Sequence, residues 1–152
     1  MKARLVVEAT EKGVSAVGLG GKDRGAQRAR AGARRSDRKR WSGIARKELQ
    51  AYFAGRLKRF AAPCDLDGLT PFTRAVLKIT ARIPYGEVRS YRWLAGQLGK
   101  PKASRAVGNA LARNPIPVII PCHRVVRSDG TIGGFALGPG WKKRLLALEK
   151  RS

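Results

Sequence analysis

The sequence predicts an α+β protein in two parts. A small N-terminal domain of antiparallel strands and a helix spans residues 1–66, and a mostly helical, winged-helix-like domain with a helix-turn-helix spans residues 67–152. Three observations lead there. Two short β-branched segments open the chain around a turn. Beyond Thr70, apolar residues recur at helical spacing behind capping residues. Between Ser90 and Asn114 a short helix, a glycine turn and a second helix follow one another, the order of a helix-turn-helix.

Lys2 to Ala9 and Val14 to Leu19 read as strands, and Glu11-Lys12-Gly13 joins them as a hairpin. From Gly20 to about Arg40 little is apolar except alanine. Nine Lys and Arg there, including Lys22, Arg24, Arg28, Arg30 and Arg38, meet only Asp23 and Asp37, so a basic loop is expected, either solvated or in contact with a polyanion. Ser42 is placed to cap a helix from about Ile44 to Phe53, with Leu49, Tyr52 and Phe53 on its buried side and Gly55 as its stop. The stretch from Ala61 to Gly68 has the look of a linker, and Cys64 within it that of a bystander.

Thr70-Pro71 is a cap followed by proline at the first helical position, and Phe72, Val76, Leu77 and Ile79 form an apolar face through about Ile83. Pro84-Tyr85-Gly86 ends that helix. Ser90 caps a short helix from Tyr91 to Leu98, Gly99-Lys100-Pro101 turns the chain, and the next helix stops at Asn114-Pro115. On this last helix Val107, Ala110 and Leu111 fall on one side, and Arg105, Asn109 and Ala112 on the other. Ser128-Asp129-Gly130 is a turn, the segment from Ile132 to Gly140 is rich in glycine, and Trp141 to Lys150 is a final helix on which Leu145, Leu146 and Leu148 pack.

Composition narrows the function. With 152 residues, 43% of them hydrophobic, the chain can bury a core. No apolar run reaches the ~18 residues of a membrane span, and the first residues lack the apolar core of a secretory signal, so a cytoplasmic protein is expected. Lys and Arg number 33 against 10 Asp and Glu, a net charge of +23. That balance favours nucleic acid as the partner and leaves the chemistry open. Two cysteines far apart and one histidine give no zinc-ligand spacing, and neither a metal nor another cofactor is expected.

The chemistry concentrates at Pro121-Cys122-His123-Arg124-Val125, where one of two cysteines adjoins the only histidine. A thiol becomes a good nucleophile as thiolate, which needs a neighbouring base or positive charge at neutral pH. The proline-flanked run from Pro115 to Pro121 suits a side chain held in a fixed place. A buried cysteine also serves commonly as a small hydrophobe, so the pair draws its weight from its surroundings. Between Pro71 and Ser152 the only acids are Glu87, Asp129 and Glu149, against sixteen Lys and Arg. Glu149 stands near a helix C-terminus, where the dipole disfavours an anion, which fits a carboxylate that orients an imidazole.

Several motifs together resemble one family. Pro71-Phe72-Thr73-Arg74-Ala75-Val76, Ile83-Pro84-Tyr85-Gly86-Glu87-Val88, Ser90-Tyr91, Arg105-Ala106-Val107-Gly108-Asn109-Ala110-Leu111, Asn114-Pro115, the Cys122 motif and Leu145-Leu146-Ala147-Leu148-Glu149 are similar, in order and spacing, to the methylated-DNA-protein-cysteine methyltransferases, or O6-alkylguanine-DNA alkyltransferases. The resemblance covers Thr70 to Lys150 and is looser before it. It implies DNA repair by a single-use protein. An O6-alkylguanine, with O4-alkylthymine as a second candidate, is turned out of double-stranded DNA through the minor groove, and its alkyl group moves onto Cys122.

On that resemblance His123 takes the cysteine proton and Glu149 orients the imidazole. Tyr91, Asn114, Val125, Phe135 and Ala136 serve the substrate. Arg105, Tyr91, Lys102, Ala103, Ser104, Gly108 and Asn109 contact DNA, with Arg105 filling the gap the guanine leaves. A monomer is expected. Phe135 stands where many members carry tyrosine, and Ala136-Leu137 replaces a small polar residue and glycine. Two alternatives remain: an alkyltransferase-like protein, which lacks an acceptor cysteine, and a non-catalytic basic winged-helix DNA-binding protein, which needs no Cys-His pair.

Overall fold

A computed structural model of the protein describes residues 5–19, 35–133, 135 and 137–151. Most of the expected basic loop, residues 20–34, lies outside them. The chain divides into two compact units, residues 1–67 and 68–152.

In the first unit β1 (Leu5–Thr10) and β2 (Gly13–Leu19) form an antiparallel hairpin whose register runs from Leu5 opposite Leu19 to Thr10 opposite Gly13, with an irregularity at Glu8 and Ala9. α1 (Arg35–Phe53) packs on it. Val7, Val14, Val17, Ala45, Leu49 and Tyr52 make the core, and the Tyr52 ring meets Phe53 and Phe60.

α1 starts nine residues before the expected Ile44. Ser42 is not a cap: it lies inside the helix and its hydroxyl donates to the Lys39 carbonyl at 3.2 Å, the back-bonding of a mid-helix serine. The expectation followed apolar spacing, but arginine and lysine are good helix formers without it. Trp41 anchors the added turns, with its indole N–H donating to the Glu11 carbonyl at 3.0 Å.

The segment after α1 is also no free linker. Val14 N–H donates to the Pro63 carbonyl at 2.8 Å and Asp65 N–H to the Val14 carbonyl at 2.7 Å, which lays residues 63–65 along β2. Gly13 makes this approach possible. Its φ is 149°, and a Cβ there would stand 2.3 Å from the Pro63 oxygen. The Glu48 carboxylate accepts from the N–H groups of Ala61 and Ala62, and Asp65 accepts from the Thr10 hydroxyl at 2.6 Å.

In the second unit α2 (Pro71–Thr80) begins as its sequence dictates: Thr70 Oγ1 accepts from Thr73 N–H and Pro71 occupies the first turn. β3 (Arg89–Ser90) pairs in parallel with β4 (Val125–Val126). α3 (Tyr91–Gln97) is capped by Ser90 and turns at Gly99 into α4 (Ser104–Ala112). Val107, Ala110 and Leu111 are buried while Arg105, Asn109 and Ala112 are exposed, so the two faces of α4 divide as its periodicity requires. α5 (Pro139–Lys150) closes the unit.

Between α4 and β4 the chain runs through a buried loop, and a single 3-10 turn over Cys122–Arg124 follows it. Asn114 ties the loop together, since its Nδ2 donates to the Ile120 carbonyl at 3.0 Å and its Oδ1 accepts from Ile116 N–H at 2.9 Å. Within this loop Val118 has φ 74°, an uncommon conformation for a β-branched residue, and is 1% exposed. The core of the unit is Val76, Leu77, Leu94, Val107, Ile116, Val125 and Leu145 with their neighbours. Among the described residues no helix is long and apolar enough to cross a membrane.

Candidate active site at Cys122

The 3-10 turn starts directly after Pro121 and sets three consecutive side chains in the interior. Cys122 is 3% exposed, His123 0% and Arg124 6%. Burying three such groups in a row is costly unless each finds a partner. α5 supplies it. Lys142, Leu145 and Glu149 lie on its inward strip, and Glu149 Oε2 stands 2.6 Å from His123 Nε2. Arg124 grips the same carboxylate with two bonds, Nε to Oε1 and Nη2 to Oε2, each 2.9 Å, and its Nη1 donates to the Ile83 carbonyl at 2.6 Å. Gly86 N–H adds a fourth contact to Oε1 at 3.2 Å.

Lys142 is buried too. Its ammonium donates to the Val125 carbonyl at 2.6 Å and lies 5.8 Å from the centre of the Tyr91 ring. Burial brings its pKa down from 10.5 to about 8; the negative charge of a Cys122 thiolate works the other way, and Arg127 adds to the lowering. His123 is pushed below its ordinary value, first by burial. Glu149 opposes that shift, while Arg124 and Lys142 add to it. Neutral imidazole is therefore the favoured form of the ring beside Cys122. Burial, and then the Cys122 charge, push the Tyr91 hydroxyl up, with Arg127 opposing.

A pocket of about 520 Å³ opens in front of the cysteine, walled by Tyr91 and Arg92 of α3, by Ser104, Arg105, Gly108 and Asn109 of α4, and by Arg127 and Phe135. Two glycines give Tyr91 its place. Its ring lies 3.8 Å from the position of a Gly108 Cβ. At Gly133, where φ is 67°, a Cβ would come within 2.8 Å of the Tyr91 hydroxyl. The glycine-rich segment thus admits an aromatic side chain to the pocket wall. Phe135 sets its ring edge-on to His123 with centroids 6.3 Å apart.

Of the residues expected at a site, the structure brings Cys122, His123 and Glu149 together in one buried cluster, and Tyr91, Ser104, Arg105, Gly108, Asn109 and Phe135 line the pocket with Cys122. Lys102 is exposed and Ala103 half-buried just before α4, away from the lining. Asn114 and Val125 are buried and not among the lining residues, the first as the tie of the loop and the second as the acceptor for Lys142. Ala136 lies outside the described residues. Lys142 and the grip of Arg124 were not among the expected site features. The signal for Lys142 was its spacing, since it precedes Leu145 by three and Glu149 by seven and so shares their face. Among the described residues no group of three His, Cys, Asp or Glu could hold a metal ion.

The chain is similar to known proteins in sequence and in fold. Residues 71–151 match the model of the 6-O-methylguanine DNA methyltransferase DNA-binding domain. The chain is 48% identical over 108 residues to a methylated-DNA–protein-cysteine methyltransferase of Methanosarcina barkeri, covering 71% of this chain and 68% of that one. It is 50% identical over 103 residues to the enzyme of that name from Mycobacterium tuberculosis, covering 68% of this chain and 62% of that one. A crystal structure of Mycobacterium tuberculosis OGT in complex with DNA superposes with a TM-score of 0.81 at 37% identity, over 97% of this chain and 86% of that one. With a match over 71–151 of its 152 residues, the chain belongs to the 6-O-methylguanine DNA methyltransferase family.

Proposed function

We propose that this protein repairs DNA by moving the alkyl group of an O6-alkylguanine onto its own Cys122, once per molecule. The observation that carries this reading is a buried cysteine on the pocket wall, followed in the chain by a histidine that is paired with Glu149. His123 takes the thiol proton, directly or through a water. The thiolate then attacks the alkyl carbon, so that an S–C bond forms, the C–O6 bond breaks and its electron pair goes to the guanine. The Tyr91 hydroxyl gives the base a proton, and the proton held by His123 restores the balance. A thioether has no good leaving group, which ends the protein's working life after one transfer.

The partner is double-stranded DNA. At +23 the chain is drawn to phosphate, and the exposed face of α4 offers small residues around one long cation, Arg105, which suits a helix pressed into a minor groove only ~6 Å wide. α3, the Gly99 turn and α4 act as the helix-turn-helix, Lys102, Ala103, Ser104 and Asn109 meet the backbone, and Arg105 enters the stack when the base leaves it. The protein works in the cytoplasm. Incubation with O6-benzylguanine followed by intact mass measurement tests the reading. One benzyl group per molecule on Cys122 is expected, and turnover beyond one, or an adduct on Cys64 alone, overturns it.

A further inference from the structure

Glu149 has two oxygens, and donors crowd both. Oε1 accepts from Arg124 Nε at 2.9 Å and from Gly86 N–H at 3.2 Å, while Oε2 accepts from Arg124 Nη2 at 2.9 Å. Arginine does not give up its proton in a protein, and a fork that meets both oxygens leaves the carboxyl no comfortable place for one. The remaining short contact, 2.6 Å between Oε2 and His123 Nε2, therefore has to be a donation from the ring to the carboxylate. In a neutral imidazole only one nitrogen carries hydrogen. The other, Nδ1, then has the lone pair, and it is buried.

We propose that Arg124 is a positioning residue for alkyl transfer: by gripping both oxygens of Glu149 it fixes the ring proton on His123 Nε2 and makes Nδ1 the atom that takes the Cys122 proton. It acts on the ring's charge as well as on its tautomer. A bare buried carboxylate 2.6 Å from an imidazole would hold the ring as imidazolium, which is no base. Arg124 offsets that negative charge and so keeps the ring neutral, in the same direction as burial. The charged groups acting on the ring are Glu149 and Lys142 from α5 and Arg124 from its own turn. α2, which also packs on the turn, directs only the uncharged Thr73, Val76, Leu77 and Thr80 inward. Arg124 is itself held from a third side by the Ile83 carbonyl, and its guanidinium lies 5.5 Å from the centre of the Tyr85 ring.

This inference rests on Cys122 being the acceptor, yet its test reads histidine and not transfer. The protein has one histidine, so the nitrogen spectrum of a ¹⁵N-histidine-labelled sample contains a single imidazole. In the parent at pH 7 the expected result is a neutral ring with hydrogen on Nε2. A ring protonated on Nδ1, or an imidazolium at that pH, overturns the proposal whether or not any variant folds. In Arg124→Met the titration midpoint of His123 should move up, and the acidic limb of transfer from free O6-benzylguanine should move up with it, slowing transfer at pH 7 by about tenfold. Arg124→Lys keeps the charge and loses the fork, so its midpoint should stay near the parent's. A folded Arg124→Met protein whose His123 midpoint and tautomer match the parent's has lost only packing, and Arg124 then has no positioning role. If the spectra behave as expected while no adduct forms on Cys122, the acceptor assignment fails and the charge arrangement stands.

Discussion

Of the two cysteines of this chain Cys122 is buried and Cys64 half-buried, and their surroundings differ in sign. Cys64 lies in the first unit against the hairpin, and the carboxylate of Glu48 acts on it. Burial first, and that like charge second, push its thiol up to about 11. Cys122 lies in the second unit, where a buried ammonium, Lys142, interacts with its charge and a neutral imidazole follows it in the chain. Burial and a neighbouring carboxylate together favour the protonated thiol at Cys64. Around Cys122 the interior carries instead a cation whose charge favours the thiolate.

The sharpest way to break the comparison is to delete each thiol. Cys122→Ala should abolish alkyl transfer from O6-benzylguanine, read by intact mass, while Cys64→Ala should leave it within about twofold of the parent, and the reverse pattern would exchange the two roles. His123→Ala follows in size. Loss of a general base should slow transfer by a factor on the order of 10 to 10⁴ in single-turnover kinetics. Next comes the silent thiol itself. In Cys122→Ala protein at pH 8, Cys64 should react with iodoacetamide about a hundredfold more slowly than cysteine in an unfolded peptide, because its thiolate fraction is that much smaller. Equal rates would mean that the first unit does not shield it.

Lys142→Met sharpens the comparison from the cation's side, with smaller effects. Transfer should slow by about tenfold to a hundredfold as the thiolate loses its counter-charge. The pH dependence of stability should also change. Folded Lys142 has its pKa lowered to about 8 from 10.5, so between those values the unfolded chain binds more protons and this residue makes stability rise with pH. Cys64 works the other way, because a thiol raised to about 11 makes stability fall once pH passes its ordinary 9.0. Urea unfolding from pH 8 to 10 should therefore show the parent gaining on Lys142→Met as pH rises. A constant difference would place the ammonium in a water-like setting.

The same contrast shows what a sequence can and cannot disclose. Local chemistry was legible: Thr70 and Ser90 cap the helices that follow them, Gly99 turns α3 into α4, and the acid at Glu149, set against its helix dipole, does reach the imidazole. Long-range pairing was less so. Lysine on a helix ordinarily faces water, so nothing local marks Lys142 as the residue whose ammonium donates to the buried Val125 carbonyl. The early start of α1 was hidden because its first turns show no apolar stripe. Gly133 was legible only as a glycine, since the Tyr91 side chain it accommodates comes from some forty positions earlier.

Val118 gives the loop before Cys122 an uneven tolerance for change. A β-branched residue in the left-handed region costs on the order of 1–3 kcal/mol of backbone strain, and burying a valine side chain returns about 1.5–3 kcal/mol. At φ 74° and 1% exposure the two terms come close to cancelling. Replacement by glycine would relax the backbone and leave a void of similar cost, a nearly neutral exchange at a position where valine-to-glycine would ordinarily be severe. Thermal stability is thus a poor guide to selection at this site. What natural variants there can lose is the stiffness of the mount that carries the thiol, and such damage would pass unnoticed in any screen that scores only folding.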